Sequence, residues 1–224
     1  DAKKDKKSIL FLGIGGNSLL NKILNSTQML YSKNNKYDLV EIDPYMIKVA
    51  KEYFFFKETP NTTIHIKDAR LFINELVQNQ QKNKYDIIFH DIYESNYLIP
   101  YETITVEALE KIKYLLNDNG ILAINVNSHI SGIKSNYLQQ ICKQLNTVFP
   151  VIKVYPLIPD DPERYQNIII VGLKNNNKIN KTFTDKLKDF EMNITVPNNI
   201  IPCLLFHEVN MVDSQSKTCH LSKY

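Results

Sequence analysis

The sequence predicts an α/β domain built on a mainly parallel sheet, and three observations carry that reading. Short apolar runs alternate along the chain with segments of helical periodicity, which is the pattern of repeated βαβ units. A glycine-rich turn joins the first apolar run to the first helical segment. Acidic residues stand at or just beyond the ends of the second, third and fourth runs, and ligands gather along that edge of an open α/β sheet.

Residues 8–12 (Ser-Ile-Leu-Phe-Leu) form a short apolar run stopped at once by glycine, as expected of a central strand buried on both faces. Residues 17–30 read as a helix with Leu19, Leu20, Ile23 and Leu24 on one side. Residues 37–42 are a second strand. Asp43-Pro44 opens a second helix running toward Phe56, because Asp caps free N–H groups and Pro is tolerated in the first turn. Residues 62–66 make a third strand, and a helix follows Asp68-Ala69 through Leu71 to Val77. A polar loop leads to a fourth strand, residues 85–90, which ends at Asp91.

Residues 92–101 read as irregular and 105–116 as a helix, which Asn119-Gly120 is expected to end with a left-handed cap. A fifth strand spans residues 121–126 and a further helix 136–146. The last two strands, 151–155 and 167–171, have no helical segment between them and are expected to form an antiparallel hairpin at one edge. A polar, asparagine-rich link follows residue 173, with a further helix expected over 182–190.

The organisation expected is therefore a basic tail over residues 1–7, a nucleotide-binding domain over 8–173, and a link with a C-terminal extension over 174–224. The length of 224 residues suits one domain with a small appendage. The chain does not begin with Met and enters a strand almost at once, so it reads as a processed protein or a piece of a longer one. A net charge of +3 is too small to argue for a nucleic-acid partner. Cys142, Cys203 and Cys219 are far apart and odd in number. They suggest neither a disulfide framework nor a metal site, and the default is a reducing, cytoplasmic setting. No apolar run approaches the roughly 18 residues that would span a membrane.

The chemistry-bearing residues cluster at strand ends. In Gly13-Ile-Gly15-Gly16-Asn17-Ser18, a tight turn and close ligand approach both exclude a Cβ. The N–H groups of the helix start can face the ligand. Glu41, at the end of the second strand, can accept two ribose hydroxyl hydrogens, as in dinucleotide folds. Asp43 is read as a helix cap. Asp68 can accept an adenine amino hydrogen, with the Ala69 N–H meeting a ring nitrogen, or can serve as another cap. Asp91 is a candidate for orienting or deprotonating an amine, with Tyr93 and Glu94 as adjacent candidates. Tyr97 and Tyr101 either wall an acceptor pocket or pack. His90 and Asp91 are neighbours on a strand end, so their side chains are expected to point opposite ways. His65 is read as a satisfied interior or edge histidine.

The blocks Ile9-Leu-Phe-Leu-Gly-Ile-Gly-Gly-Asn-Ser-Leu19, Val40-Glu-Ile-Asp-Pro44, His65-Ile-Lys-Asp-Ala69 and Tyr85-Asp-Ile-Ile-Phe-His-Asp91 resemble motifs I to IV of class I S-adenosylmethionine-dependent methyltransferases. Within that superfamily they look most like the spermidine-synthase-like branch. Residues 40–50 are similar to the C-terminal domain of the translation elongation factor 1-alpha lysine and N-terminal methyltransferases. The resemblance implies a Rossmann-like class I methyltransferase fold with a seven-stranded sheet. It implies S-adenosylmethionine as cofactor, bound by Gly13, Gly15, Gly16, Asn17, Glu41, Ile42, Asp68, Ala69 and Asp91. Spermidine-synthase-like proteins are often dimers, so a homodimer is a further expectation.

Two departures bear on activity. Aminopropyltransferases carry an Asp inside the glycine turn, where this chain has Gly16. They also carry an Asp-Ser/Thr-Ser-Asp-Pro loop after the fourth strand, where this chain reads Asp91-Ile-Tyr-Glu-Ser-Asn-Tyr-Leu-Ile-Pro100. The first reading is methyl transfer to an amine, on a protein. The alternatives are aminopropyl transfer from decarboxylated S-adenosylmethionine and a non-catalytic nucleotide-binding scaffold.

Overall fold

The computed structural model describes residues 6–25, 34–94 and 98–175. Its elements run β1 (Ser8–Leu12), α1 (Ser18–Asn25), β2 (Lys36–Glu41), α2 (Pro44–Tyr53), β3 (Thr62–Ile66), α3 (Ala69–Gln78), β4 (Tyr85–His90), α4 (Tyr101–Ile104), α5 (Val106–Leu115), β5 (Leu116–Ser128), α6 (Asn136–Val148), β6 (Val151–Pro156) and β7 (Gln166–Leu173). The strands form one seven-stranded sheet in the order β3-β2-β1-β4-β5-β7-β6. The first five pair in parallel, and β7 runs antiparallel to both β5 and β6. The α/β sheet and the antiparallel end are as expected. The placing of β7 between β5 and β6, which leaves β6 at the edge, is what the hairpin alone did not reveal.

Alternation along the central strands divides the core into two layers. Leu10, Leu12, Ile88, Leu122 and Ile124 pack with Phe72 and Ile73 of α3, Leu109 and Ile112 of α5, and Leu138, Ile141 and Leu145 of α6. Ile9, Phe11 and Leu39 face the other way, against Leu20 and Ile23 of α1 and Ile47 and Ala50 of α2. A smaller group on this second face joins Ala123, Val151, Val171 and Leu173, with Phe89 bordering both groups. Central strands that bury both faces are apolar along most of their length, which is why the runs within residues 8–12 and 85–90 read so clearly as strands.

Two expectations are corrected. Asn119-Gly120 does not cap α5. The helix ends at Leu115, Leu116 is extended, and the chain enters β5 directly. Four residues of β5, 117–120, lie between Leu116 opposite Tyr85 and Ile121 opposite Ile87. Gly120 has no left-handed backbone. It is small because a Cβ there would come within 2.8 Å of the Asn117 carbonyl oxygen. The segment read as irregular over 92–101 leads into the one-turn helix α4, separated from α5 by Thr105, which caps α5 by accepting from Ala108 N–H at 3.2 Å.

Smaller differences sit at element ends. β2 starts and ends one residue early, so Glu41 is its last residue and Ile42 lies beyond it. Helix α2 stops at Tyr53, and Phe55 takes a positive φ of 56°. Lys7 is tied to the sheet: its N–H donates to Asn35 Oδ1 at 3.1 Å and its carbonyl accepts from Lys36 N–H at 2.8 Å. The helix expected over 182–190, Cys203, Cys219 and Tyr97 lie outside the described residues.

Candidate functional site

The carboxyl ends of β1, β2 and β4 meet around the glycine turn. Gly13 and Gly15 have positive φ of 77° and 47°, and Asn17 follows at 57°, a conformation that Gly and Asn adopt most readily. A Cβ at Gly13 would lie 2.9 Å from the carbonyl carbon of Asp91. The close approach comes from register: Leu12 pairs with His90, the Asp91 N–H donates to the Leu12 carbonyl at 2.8 Å, and the Gly13 N–H donates to the Val40 carbonyl at 2.9 Å. Gly15 is exposed, with nothing within 4 Å of the place a Cβ would take. Gly16 has another reason to be small, since a Cβ there would press to 2.9 Å on the ring of Phe54.

Glu41 is 9% exposed. Its Oε2 accepts from the Ile14 N–H at 3.3 Å and its Oε1 from the Asp43 N–H at 3.1 Å, so the carboxylate ties the end of β2 to the glycine turn. Each carboxylate oxygen has a second lone pair available. Glu41 is therefore a buried carboxylate and not a surface one. Ile42 is 65% exposed beside it. Asp43 caps α2 through Tyr45 N–H at 2.8 Å. Asp68 caps α3 through Leu71 N–H at 2.9 Å, using Oδ1; its Oδ2 makes no hydrogen bond among the described residues. Ala69 opens α3 and packs on the main core.

Asp91 is exposed, and its Oδ1 accepts from Asn125 Nδ2 at 2.9 Å. Register again explains the meeting: His90 pairs with Ile124, so the next residue on each strand turns to the opposite face together. Asn125 was not singled out from the sequence. Its signal was a lone amide in the otherwise apolar Ile121-Leu-Ala-Ile-Asn-Val126. The Asn125 Oδ1 and, at the glycine turn, the Asn17 Nδ2 are buried and have no hydrogen-bond partner among the described residues. Two such orphaned groups beside an open glycine turn fit a crevice that receives a polar ligand.

Tyr93 donates its hydroxyl to the Asn125 carbonyl at 2.8 Å. Burial, then the Asp91 carboxylate, then Tyr137 and Tyr165 push that hydroxyl well above the usual phenol range, so Tyr93 keeps its proton. Tyr137 accepts from the Ile99 N–H at 2.9 Å and so holds the segment after β4. Glu94 is exposed, with its N–H donating to the Leu98 carbonyl at 2.9 Å. Tyr101 is 68% exposed at the start of α4.

His90 is fully buried and bonds Thr103 Oγ1 at 2.9 Å through Nε2, while Asp91 faces outward. The two do not form a catalytic pair. His65 pairs with Asp38 Oδ1 at 2.9 Å on edge strand β3, a satisfied edge histidine. Among the described residues no group of three or more His, Cys, Asp or Glu can hold a metal ion.

The chain has relatives among known proteins. A 37% identical polyamine aminopropyltransferase of Vibrio vulnificus aligns over 52% of this chain and 36% of its own length. An N-terminal histidine N-methyltransferase of Emericella nidulans is 29% identical over 78% of this chain and 32% of its own. The eEF1A lysine and N-terminal methyltransferase of Bos taurus is 28% identical over 66% of this chain and 20% of its own. The chain thus spans between a fifth and about a third of these relatives. Among solved structures, human methyltransferase-like protein 13 in complex with SAH shares the fold, with a TM-score of 0.66 at 21% identity over 93% of this chain and 88% of that one. The model of the spermine/spermidine synthase domain matches residues 1–183, a span holding the glycine turn, Glu41, Asp68 and Asp91, and the chain belongs to that family.

Proposed function

We propose that the protein is an S-adenosylmethionine-dependent methyltransferase that transfers a methyl group to an amine acceptor carried on a protein. The observation that carries this reading is one crevice where the left-handed glycine turn, the buried Glu41 and the outward-facing Asp91 meet. The relatives named as methyltransferases of an N-terminal histidine and of eEF1A lysine and N-terminus support an amine acceptor on a protein.

In this reading Glu41 receives the ribose hydroxyls on its remaining lone pairs. Asp68 Oδ2 receives the adenine amino group, and the Ala69 N–H faces the ring. Gly13, Gly15, Gly16, Asn17 and Ile42 line the rest. The cofactor supplies a carbon on a sulfonium, already activated toward an amine. The chain aligns the amine and takes its proton. Asp91 is the group placed to do so, oriented by the amide of Asn125. Tyr93 fixes the floor beside it, and Glu94 adds negative charge at the mouth. The catalytic unit is placed at residues 8–173, in a cytoplasmic setting that suits the buried thiol of Cys142, and a homodimer is proposed on the resemblance.

Aminopropyl transfer from the decarboxylated cofactor is the second reading, favoured by the Vibrio relative. Against it, an Asp at position 16 would require the Phe54 ring to move. The loop after β4 also offers Asp91 and Glu94 in place of the expected acidic pattern.

Asp91→Asn is the test. It is expected to leave cofactor affinity within roughly threefold and to lower turnover on a protein amine by roughly 10²–10⁴-fold. Unchanged turnover would remove Asp91 from the mechanism. A wild-type chain that binds cofactor and turns over no amine would favour the scaffold.

A further inference from the structure

At the opposite end of the sheet, by the amino ends of β4 and β5, three lysines from separate elements converge on one cavity. It is a depression of about 380 Å³, largely open to solvent, lined by Lys82, Lys113 and Lys174 together with Glu110, Tyr114, Thr147 and Val148. Small-molecule sites run from roughly 300 to 1,000 Å³. Two of the lysines, Lys113 and Lys174, are held in place mainly by neutral groups. Lys113 Nζ donates to the Val148 carbonyl at 2.6 Å and lies 6.0 Å from the centre of the Phe149 ring. Lys174 Nζ donates to Asn83 Oδ1 at 2.7 Å and to the Leu116 carbonyl. Its nearest carboxylate, Asp118, is 3.9 Å away and largely exposed. Among the described residues Lys82 Nζ has neither a hydrogen bond nor an ion pair, and Glu110 pairs with no cation.

An ammonium has three N–H donors. Lys113 therefore retains two and Lys82 all three, in fixed or reachable positions. Three ammoniums against one lining carboxylate leave an excess of two positive charges facing the cavity. At Lys174 burial, first of all, loosens the proton; Asp118 opposes it, and the smaller charge effects of Lys82 and Lys113 add to the loosening. Helix ends explain why Lys113 and Lys174 lie near the carbonyl termini of α6 and α5. They do not explain why Lys82, free to extend into solvent, shares the same cavity.

We propose that this cavity is a binding site for a small phosphate-bearing anion, gripped by the ammoniums of Lys82, Lys113 and Lys174 with the Tyr114 hydroxyl as a further donor. A dianion matches the excess charge and relieves the repulsion among the lysines. The site is remote from the glycine turn, so it stands or falls independently of the proposed methyl transfer.

The test titrates the full chain with pyrophosphate, following thermal unfolding and calorimetry, against sodium chloride at matched ionic strength. The wild-type chain is expected to show saturable stabilisation. Lys82→Glu, a change at an exposed side chain with no partner among the described residues, is expected to keep the ligand-free melting temperature and weaken binding by roughly tenfold or more. Lys113→Met should weaken it similarly. A shift no larger than that of sodium chloride overturns the site, as does equal affinity in Lys82→Glu. A parallel arm uses phosphatidylcholine vesicles doped with a phosphoinositide. Vesicle binding that pyrophosphate competes away and Lys82→Glu abolishes assigns the phosphate to a lipid headgroup; pyrophosphate binding without vesicle binding assigns it to a soluble anion.

Discussion

Gly13 and Gly15 sit two residues apart and are glycine for different reasons. At Gly13 the backbone is left-handed and the Asp91 carbonyl fills the space a Cβ would need. At Gly15 the backbone is left-handed but the space is open. Gly13→Ala therefore combines a conformational cost with overlap against backbone that cannot move cheaply, and should destabilise the fold by about 2 kcal/mol or more. Gly15→Ala should cost about 1 kcal/mol while weakening the cofactor by a larger factor, because the methyl group enters the space the ligand needs. Urea unfolding and calorimetry on both variants separate the effects. Equal loss of affinity and stability in Gly15→Ala would make that glycine a turn residue only.

His90 shows burial deciding a proton. Removal from water lowers its pKa from 6.5 to about 4, with its own backbone bond opposing only weakly. The folded state thus rejects a proton that the unfolded chain accepts between those two values. Stability is expected to fall as pH drops from about 6.5 toward 4, by roughly 3 kcal/mol in all. His90→Gln should flatten that part of the profile. An unchanged acid slope in His90→Gln would place the sensitivity elsewhere.

At the scale of elements, Asp43 and Asp68 make similar bonds at the starts of α2 and α3. Replacing either with Ala should cost about 1 kcal/mol of stability. Only Asp68→Ala should also weaken the cofactor, since only Asp68 is proposed to face the adenine. Matched losses of affinity in the two variants would reduce Asp68 to a cap.

Elements bounded by strong local chemistry were legible in the sequence: β1, β3 and β4 fall where apolar runs meet Gly13, Lys67 and Asp91. The end of α5 was not. Asn119-Gly120 reads as a cap, yet its glycine answers to crowding from Asn117, which only the four-residue irregularity opposite Tyr85-Asp-Ile87 reveals. The same limit hid Asn125. Its amide matters because parallel register sets Ile124 beside His90 and thereby Asn125 beside Asp91, a relation between strands far apart in the chain. The hairpin of β6 and β7 is local and was legible, whereas the pairing of β7 with β5 is long-range and was not.

For the whole molecule, the sheet order turns these local facts into a single site. With β1 flanked by β2 and β4, the glycine turn, Glu41 and Asp91 are brought together at the carboxyl ends of three adjacent strands. The lysine cavity occupies the other end of the same sheet. We propose that the crevice end of the sheet binds S-adenosylmethionine for methyl transfer. Calorimetry of the chain with S-adenosylmethionine, S-adenosylhomocysteine and the decarboxylated cofactor tests this. Tight binding of the two carboxylated forms, with the decarboxylated form weaker, is the predicted result. Preference for the decarboxylated form would contradict methyl transfer and favour aminopropyl transfer, and binding of none would contradict both.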